Sequence, residues 1–353
     1  MQQGTNRAEE NNRDYKDAQT GDELPLSLCH LVSADLRRNY IIPDAAGKVL
    51  YVWFDAPIGY ISNTIELCAR GTGRPAEANE WWASDDCGIY HFIGEDNTIF
   101  HCVVWIAMLQ AEGSYKLPRG VIVNQFMNIQ FPGKEETKIS KSRGSAVWID
   151  DYIAEGGDPE ALRYYLTLIS TERSKTTYKP EDLIQRQNSE LANVLGNFVN
   201  RILSFTAKNY GPQVPDFLSA KLSDIDREFL NSMQRCHADT TQLLDSFQFK
   251  AALERIMEFA RACNKYVDDK APWTTKKTDN EGTKLTLNTA IAAIKFLGIV
   301  LRPFMPRTSD KILHMLLIDP ATAAWNSALI APLAGSQLGE AKILFQKVET
   351  ASS

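Results

Sequence analysis

The order of apolar and polar positions divides the chain into two parts of different period. From Val49 to Phe54 (VLYVWF), an apolar, β-rich run bounded by Gly47 and Pro57 predicts a buried strand. Gly88–Ile93 (GIYHFI) and Gly120–Met127 (GVIVNQFM) predict two more. Between the last two, Thr98–Ala111 (TIFHCVVWIAMLQA) is too long and too apolar for a strand and predicts a buried helix. Strand, helix, strand is the unit of a parallel sheet. After residue 145 the period becomes helical. Asp158-Pro159-Glu160 is a helix start, with Asp as N-cap and Pro in the first turn, and Leu162, Tyr165, Leu166 and Ile169 follow at helical spacing. From Pro180 onward only helical patterns occur, over 181–208, 222–245, 248–270, 285–303 and 307–317. The helix over 248–270 carries Leu253, Ile256, Met257, Ala260, Asn264 and Val267 on one stripe and stops at Pro272. The fold class is therefore α/β followed by all-α: a partial parallel sheet, then an α-helical bundle.

Composition narrows the class further. A length of 353 residues suits two units of ordinary size, and 44% apolar, 10% aromatic and 23% charged residues suit a globular protein. Cys102–Leu109, eight residues, is the longest unbroken apolar run. A bilayer span takes roughly 20, so none is predicted. Residues 1–28 are polar and read as a disordered tail; they lack the apolar core of a signal peptide, so the chain reads as cytoplasmic. Six cysteines without any C-x-x-C read as reduced, mostly buried thiols rather than zinc ligands or disulfides. The histidines, at 30, 91, 101, 237 and 314, have no metal-site spacing, so no metal ligands are predicted. A net charge of −6 provides no general basic field, so a nucleic-acid partner has to be recognised locally.

Three segments are candidates for chemistry. Phe131–Ser145 (FPGKEETKISKSRGS) follows a strand and sets Lys134, Lys138, Lys141 and Arg143 against Glu135 and Glu136. Ammonium groups among small hydroxyls suit a polyphosphate whose charge grows during reaction, although taken alone such a loop reads more often as a solvated surface turn and decides nothing. On the helix over 181–208, Leu191, Leu195, Phe198 and Ile202 form one face, and Asn193, Gly196, Asn197, Asn200 and Arg201 the other. Asn and Gly cost helix stability relative to Lys and Glu, so a role other than solubility selects them: reading unstacked bases, or close packing against another element. Trp273, behind Pro272, is either a base-stacking platform or half-buried core. Trp53, Pro57 and Tyr60 either line an apolar pocket or pack in the core. No G-x-x-x-x-G-K-[ST] or G-x-S-x-G occurs, which disfavours P-loop NTPases and α/β-hydrolases.

In succession these pieces resemble the class I methionyl-tRNA synthetases. The resemblance is carried by YVWFDAPIGY (51–60), YHFIGEDNTIFH (90–101), KISKSRG (138–144), DPEALRYYL (158–166), DLIQRQNSELANVLGNFVNR (182–201), APW (271–273) and ILFQKVE (343–349), and covers about residues 30–350. It implies that residues 29–174 are the C-terminal half of a Rossmann-like catalytic domain and 175–353 an α-helical anticodon-binding domain. Trp53, Ala56, Pro57, Tyr60, Asn97 and His101 then correspond to methionine-binding positions. Gly94, Asp96, Lys138, Ser140, Lys141 and Ser142 correspond to ATP-binding positions, with Lys138 and Lys141 catalytic. Asn193, Asn197, Arg201, Pro272 and Trp273 correspond to readers of the CAU anticodon of tRNA(Met). The implied reaction is activation of methionine by ATP, with Mg2+ on the phosphates, and transfer to tRNA.

The sequence departs from the family in three respects. H-x-G-H is absent, as are the first strands and the connective insertion that often binds zinc, and Glu95 stands where the family pattern expects Lys. The resemblance thus implies a missing N-terminal half and a fragment inactive alone. The alternative is a non-catalytic tRNA anticodon-binding protein derived from such an enzyme.

Overall fold

The computed structural model describes residues 31–33, 48–50, 53, 56–71, 77–140, 144–217 and 219–349. The tail expected over 1–28 lies outside them, as do Lys141 and Ser142. The chain forms two compact units, residues 1–126 with 141–144, and residues 127–140 with 145–353.

In the first unit, β1 (Leu31–Ser33) pairs antiparallel with β2 (Lys48–Leu50). Of the strand expected over 49–54, Val49 and Leu50 lie in β2, whose partner is antiparallel, and residues 51, 52 and 54 lie outside the described residues. Pro57, with φ −62°, starts α1 (Ile58–Ala69), since a fixed helical φ and a missing N–H cost nothing in a first turn. α2 (Ala78–Trp82) follows. β3 (Tyr90–Gly94) and β4 (Gly120–Asn124) form the expected parallel pair, in register from Tyr90↔Gly120 to Gly94↔Asn124. Their connection runs through a 3-10 turn (Glu95–Asn97), a π-helical turn (Phe100–Val104) and α3 (Trp105–Glu112), which ends at left-handed Gly113. The expectation of a buried helix here needs correction. His101, Trp105 and Leu109, four apart, are buried, whereas Ile99 and Val103 are exposed. Only one stripe of this helix meets the small core of Ile61, Trp82, Trp105 and Leu109.

The run expected as one strand over 120–127 also divides. β5 (Met127–Ile129) belongs to a separate sheet in the second unit, antiparallel to β6 (Thr137–Lys138) and parallel to β7 (Thr176–Tyr178). Next come α4 (Ile149–Ala154) and α5 (Pro159–Leu168), whose N-cap Asp158 accepts from Glu160 N at 2.8 Å, as the sequence predicts. A long helical segment consists of α6 (Pro180–Arg186), a π-helical stretch (Gln187–Gly196) and α7 (Asn197–Tyr210). α8 (Asp224–Asp245), α9 (Phe249–Lys270), the short α10 (Pro272–Thr275), α11 (Asn280–Val300) and α12 (Pro306–Met315) complete the unit.

α11 is the axis of this core, buried continuously from Leu285 to Val300. It is long and apolar enough to cross a membrane, although polar residues such as Asn288 and Lys295 interrupt its apolar run, and 94% of its most apolar stretch is buried inside the protein. Lys295 Nζ donates to the carbonyls of Ser327 and Ile330, which accounts for a cation in that core. The thiols are less buried than the sequence suggests. Among the described residues Cys236 and Cys263 are buried, Cys68 and Cys87 half-buried and Cys102 exposed.

Candidate functional site

Three of the candidate methionine residues, Trp53, Tyr60 and Asn97, meet the imidazole of a fourth, His101. His101, 1% exposed on the π-helical turn, places Nδ1 3.0 Å from the carbonyl oxygen of Asn97 and Nε2 2.9 Å from the Tyr60 hydroxyl. A carbonyl only accepts, so Nδ1 carries the proton; in the neutral ring Nε2 is then a lone pair, to which Tyr60 O–H donates. Trp53 stacks on Phe100, with centroids 5.3 Å apart, and meets the His101 ring edge-on at 6.0 Å. Burial raises the Tyr60 phenol above its ordinary pKa, so it remains a donor. Pro57 is buried and Ala56 exposed at the start of α1. Trp53, Tyr60 and His101 thus form an aromatic group suited to a polarizable thioether.

His91 was not singled out by sequence reasoning. On β3 it is buried, 5.1 Å from the His101 ring and 5.0 Å from Tyr60, and its Nε2 has no hydrogen-bond partner among the described residues. Burial, then the neighbouring His101, lowers its pKa, which favours a neutral ring. Only its alternation with exposed Tyr90 and Phe92 marks it in the sequence as inward-facing.

Past the end of β3, Gly94 holds its backbone close to Asp96: a Cβ there would lie 2.7 Å from Asp96 Oδ1. Asn97 Nδ2 reaches the same oxygen at 3.5 Å, and Thr98 Oγ1 donates to the carbonyl of Glu95 at 2.8 Å. The turn is thus held by its own polar groups, with Asp96 and Glu95 exposed.

In the second unit, Lys138 ends β6 with an exposed side chain, and its carbonyl accepts from Ser145 Oγ at 2.9 Å. Ser140 and Ser145 exchange backbone hydrogen bonds of 3.0 and 3.1 Å, closing the ends of the loop, and Gly144 adopts φ 66°. Lys141 and Ser142 lie outside the described residues. Among the described residues, no group of three or more His, Cys, Asp or Glu side chains is arranged to hold a metal.

The amide-bearing helix face is also in the second unit. Asn193 and Asn197 are exposed, and Arg201 lies with Cζ 4.6 Å from the centre of the Trp273 ring. Its NH2 donates to Asp268 Oδ1 at 2.7 Å, while Nε is buried without a hydrogen-bond partner among the described residues. Pro272 is buried; Trp273 is 37% exposed, wedged by one face and open on part of its surface. One member of the predicted face is corrected: Gly196 is buried, its α-carbon region facing the Leu191 carbonyl and Leu344. The rest of the pattern keeps its sides, and Gly196, next to the buried Leu195, lies where a Cβ would come within 3.2 Å of the Leu191 carbonyl. Asn264, expected on the core stripe, spans the two helices by donating to the carbonyls of Val194 and Ala260 at 3.0 Å. Asp268, one turn ahead of Trp273, was not picked out by sequence reasoning.

Both parts of the chain are similar to known proteins. A family model for class I tRNA synthetases (M) matches residues 6–203, and one for the anticodon-binding domain of methionyl tRNA ligase matches residues 213–353. The match begins within the stretch expected to lie outside the resemblance. The methionine–tRNA ligase of Parabacteroides distasonis is 41% identical over 323 residues, which is 90% of this chain and 45% of that protein. That of Thermococcus onnurineus is 38% identical over 332 residues, 90% of this chain and 44% of that protein. The chain thus spans about half the length of the curated relatives it matches. A crystal structure of Mycobacterium tuberculosis methionyl-tRNA synthetase bound by methionyl-adenylate superposes with a TM-score of 0.73 at 27% identity, covering 86% of this chain and 57% of that one. With one model running from residue 6 to residue 203 and the second over most of the remainder, the chain belongs to the class I tRNA synthetases of the methionyl family.

Proposed function

We propose that this chain supplies the second half of a methionine–tRNA ligase (EC 6.1.1.10), with residues 29–174 contributing to the catalytic domain and 175–353 reading the anticodon. Trp53, Ala56, Pro57, Tyr60 and His101 enclose the methionine side chain, with Asn97 beside the amino acid. Gly94 and Asp96 hold the adenosine side of ATP. Lys138 and Lys141, supported by Ser140 and Ser142, take up the charge that moves onto pyrophosphate as the carboxylate attacks the α-phosphate. Mg2+ bound to the ATP phosphates would add further charge neutralisation. Asn193, Asn197 and Arg201 bond the base edges of CAU, and Trp273 stacks on one base above the buried Pro272.

The observation that carries this reading is the Arg201–Trp273 pair at 4.6 Å, on the helix face where Asn193 and Asn197 remain exposed. Titration of the chain with a tRNA(Met) anticodon stem-loop tests it, with a scrambled CAU loop as control. Preferential binding of CAU is expected; equal binding of both refutes the reading.

A non-catalytic tRNA-binding role is the second reading, favoured by Glu95, an acidic residue on the side of the site assigned to ATP. ATP–pyrophosphate exchange with methionine separates the two. The chain alone is expected to be silent in either case, and activity appearing on addition of a polypeptide carrying H-x-G-H selects the ligase.

A further inference from the structure

The corner that carries Trp273 adjoins a buried charge that none of the roles above uses. Asp226, fully buried in the first turn of α8, accepts at Oδ2 from Ser223 N (2.8 Å), Ser223 Oγ (2.6 Å) and Lys270 Nζ (2.9 Å). At Oδ1 it accepts from the Tyr266 hydroxyl at 2.7 Å. Burial alone would raise this carboxyl; the hydrogen bonds from Ser223, Lys270 and Tyr266 outweigh that and hold it below its ordinary range. The carboxylate therefore ties the N-cap of α8 to two residues in the last turn and a half of α9.

Lys270 is the last residue of α9, its side chain 17% exposed. The next residue, Ala271, has φ 40° and ψ 58°, left-handed backbone that a residue with a Cβ adopts at a cost and keeps only where its neighbours impose it. Its N–H donates to Val267 O at 2.9 Å, and then Pro272 is buried and Trp273 turns under Arg201. The strained residue is thus flanked by a pinned lysine on one side and a buried proline on the other.

We propose that Asp226, acting through Lys270, is a positioning residue for Trp273, fixing the end of α9 so that Ala271 makes the turn that sets the indole against the Arg201 guanidinium. Removing the carboxylate charge leaves the Lys270 ammonium only part-exposed and without its counter-charge, which favours its release to water and loosens the turn. Only the consequence for RNA rests on the anticodon reading; the geometric link does not.

The test uses the full chain labelled with 5-fluorotryptophan, in which Trp273→Phe assigns the Trp273 fluorine resonance. Lys270→Met is expected to shift and broaden that resonance while leaving those of Trp82 and Trp105 in place. It should also raise the Kd for the CAU stem-loop by about tenfold, a fraction of what a stacked base contributes. Lys270→Arg, which keeps the charge, is expected to restore both readouts. Asp226→Asn should act in the same direction, with the double variant no worse than the more affected single one. If Asp226→Asn does not fold, the Lys270 pair decides alone. An unmoved Trp273 resonance in Lys270→Met overturns the proposal. Should the unaltered chain not distinguish CAU from its scrambled form, the anticodon reading fails while the fluorine result still decides the positional link.

Discussion

If Trp273 stacks on an anticodon base as proposed, replacing it by alanine removes two contributions. A base stacked on an aromatic ring contributes about 1–3 kcal/mol, so its loss raises Kd by about 5- to 150-fold. The guanidinium of Arg201, 4.6 Å from the ring centre, adds ~0.5–1 kcal/mol as a cation–π contact at a partly exposed site. Without the ring, Asp268 at 2.7 Å is the one remaining partner of Arg201 among the described residues, so its aim toward the proposed RNA also loosens. Trp273 is 37% exposed and lies outside the core around α11, so the fold should survive the truncation. The assay is fluorescence anisotropy with a labelled CAU stem-loop at one fixed salt concentration, because phosphate contacts vary steeply with salt. Trp273→Phe is expected to retain most of the affinity. An unchanged Kd for Trp273→Ala, with the variant folded by circular dichroism, would return the indole to a packing role and refute the stacking argument.

Four further outcomes are expected. Gly298→Ala should destabilise the helical unit by ~1–3 kcal/mol in chemical denaturation, because the added Cβ meets Ile312 Cγ2 at 2.9 Å where α11 crosses α12; an unchanged midpoint would mean the two helices separate freely. Tyr60→Phe leaves the buried His101 Nε2 without its donor at a cost of ~1–3 kcal/mol, read from urea unfolding followed by tryptophan emission, and a null result would strip that hydrogen bond of any stabilising role. Because the Asp226 carboxyl is held below its ordinary value, its stabilisation is present above the unfolded pKa and fades as pH falls through the folded one. Melting temperatures taken from about pH 5 downward should therefore fall less steeply for Asp226→Asn than for the parent chain, and parallel curves would contradict this. In an enzyme completed by its other half, Lys141→Ala should slow pyrophosphate exchange by roughly 10²–10³-fold with little change in methionine KM, and an unaltered rate would remove Lys141 from the chemistry.

The helices over 159–168, 224–245, 249–270 and 306–315 were legible because each carries local signals that tertiary context did not override: the Asp158 cap with Pro159, the stripe from Leu253 to Val267, the stop before Pro272. The parallel pair of β3 and β4 was legible for the same reason. The division of 120–129 between two sheets was not, because apolar continuity does not record which strand a residue will pair with. The π-helical stretches were equally invisible: wider turns depend on which carbonyls find other partners, as Val194 does in Asn264.

Residue types by themselves determined which chemistries were available: amides and a guanidinium on one helix, ammonium groups in a Gly-Ser loop, aromatics near a histidine. Only the tertiary structure decided which of these meet. Arg201 and Trp273 lie 72 positions apart and share a face because α7 and α9 pack side by side; Asp226 reaches Lys270 because α8 returns antiparallel along α9. The physical reason is that sequence spacing fixes neighbours along one helix, whereas contacts across helices depend on how buried faces interlock, and no residue carries that information alone.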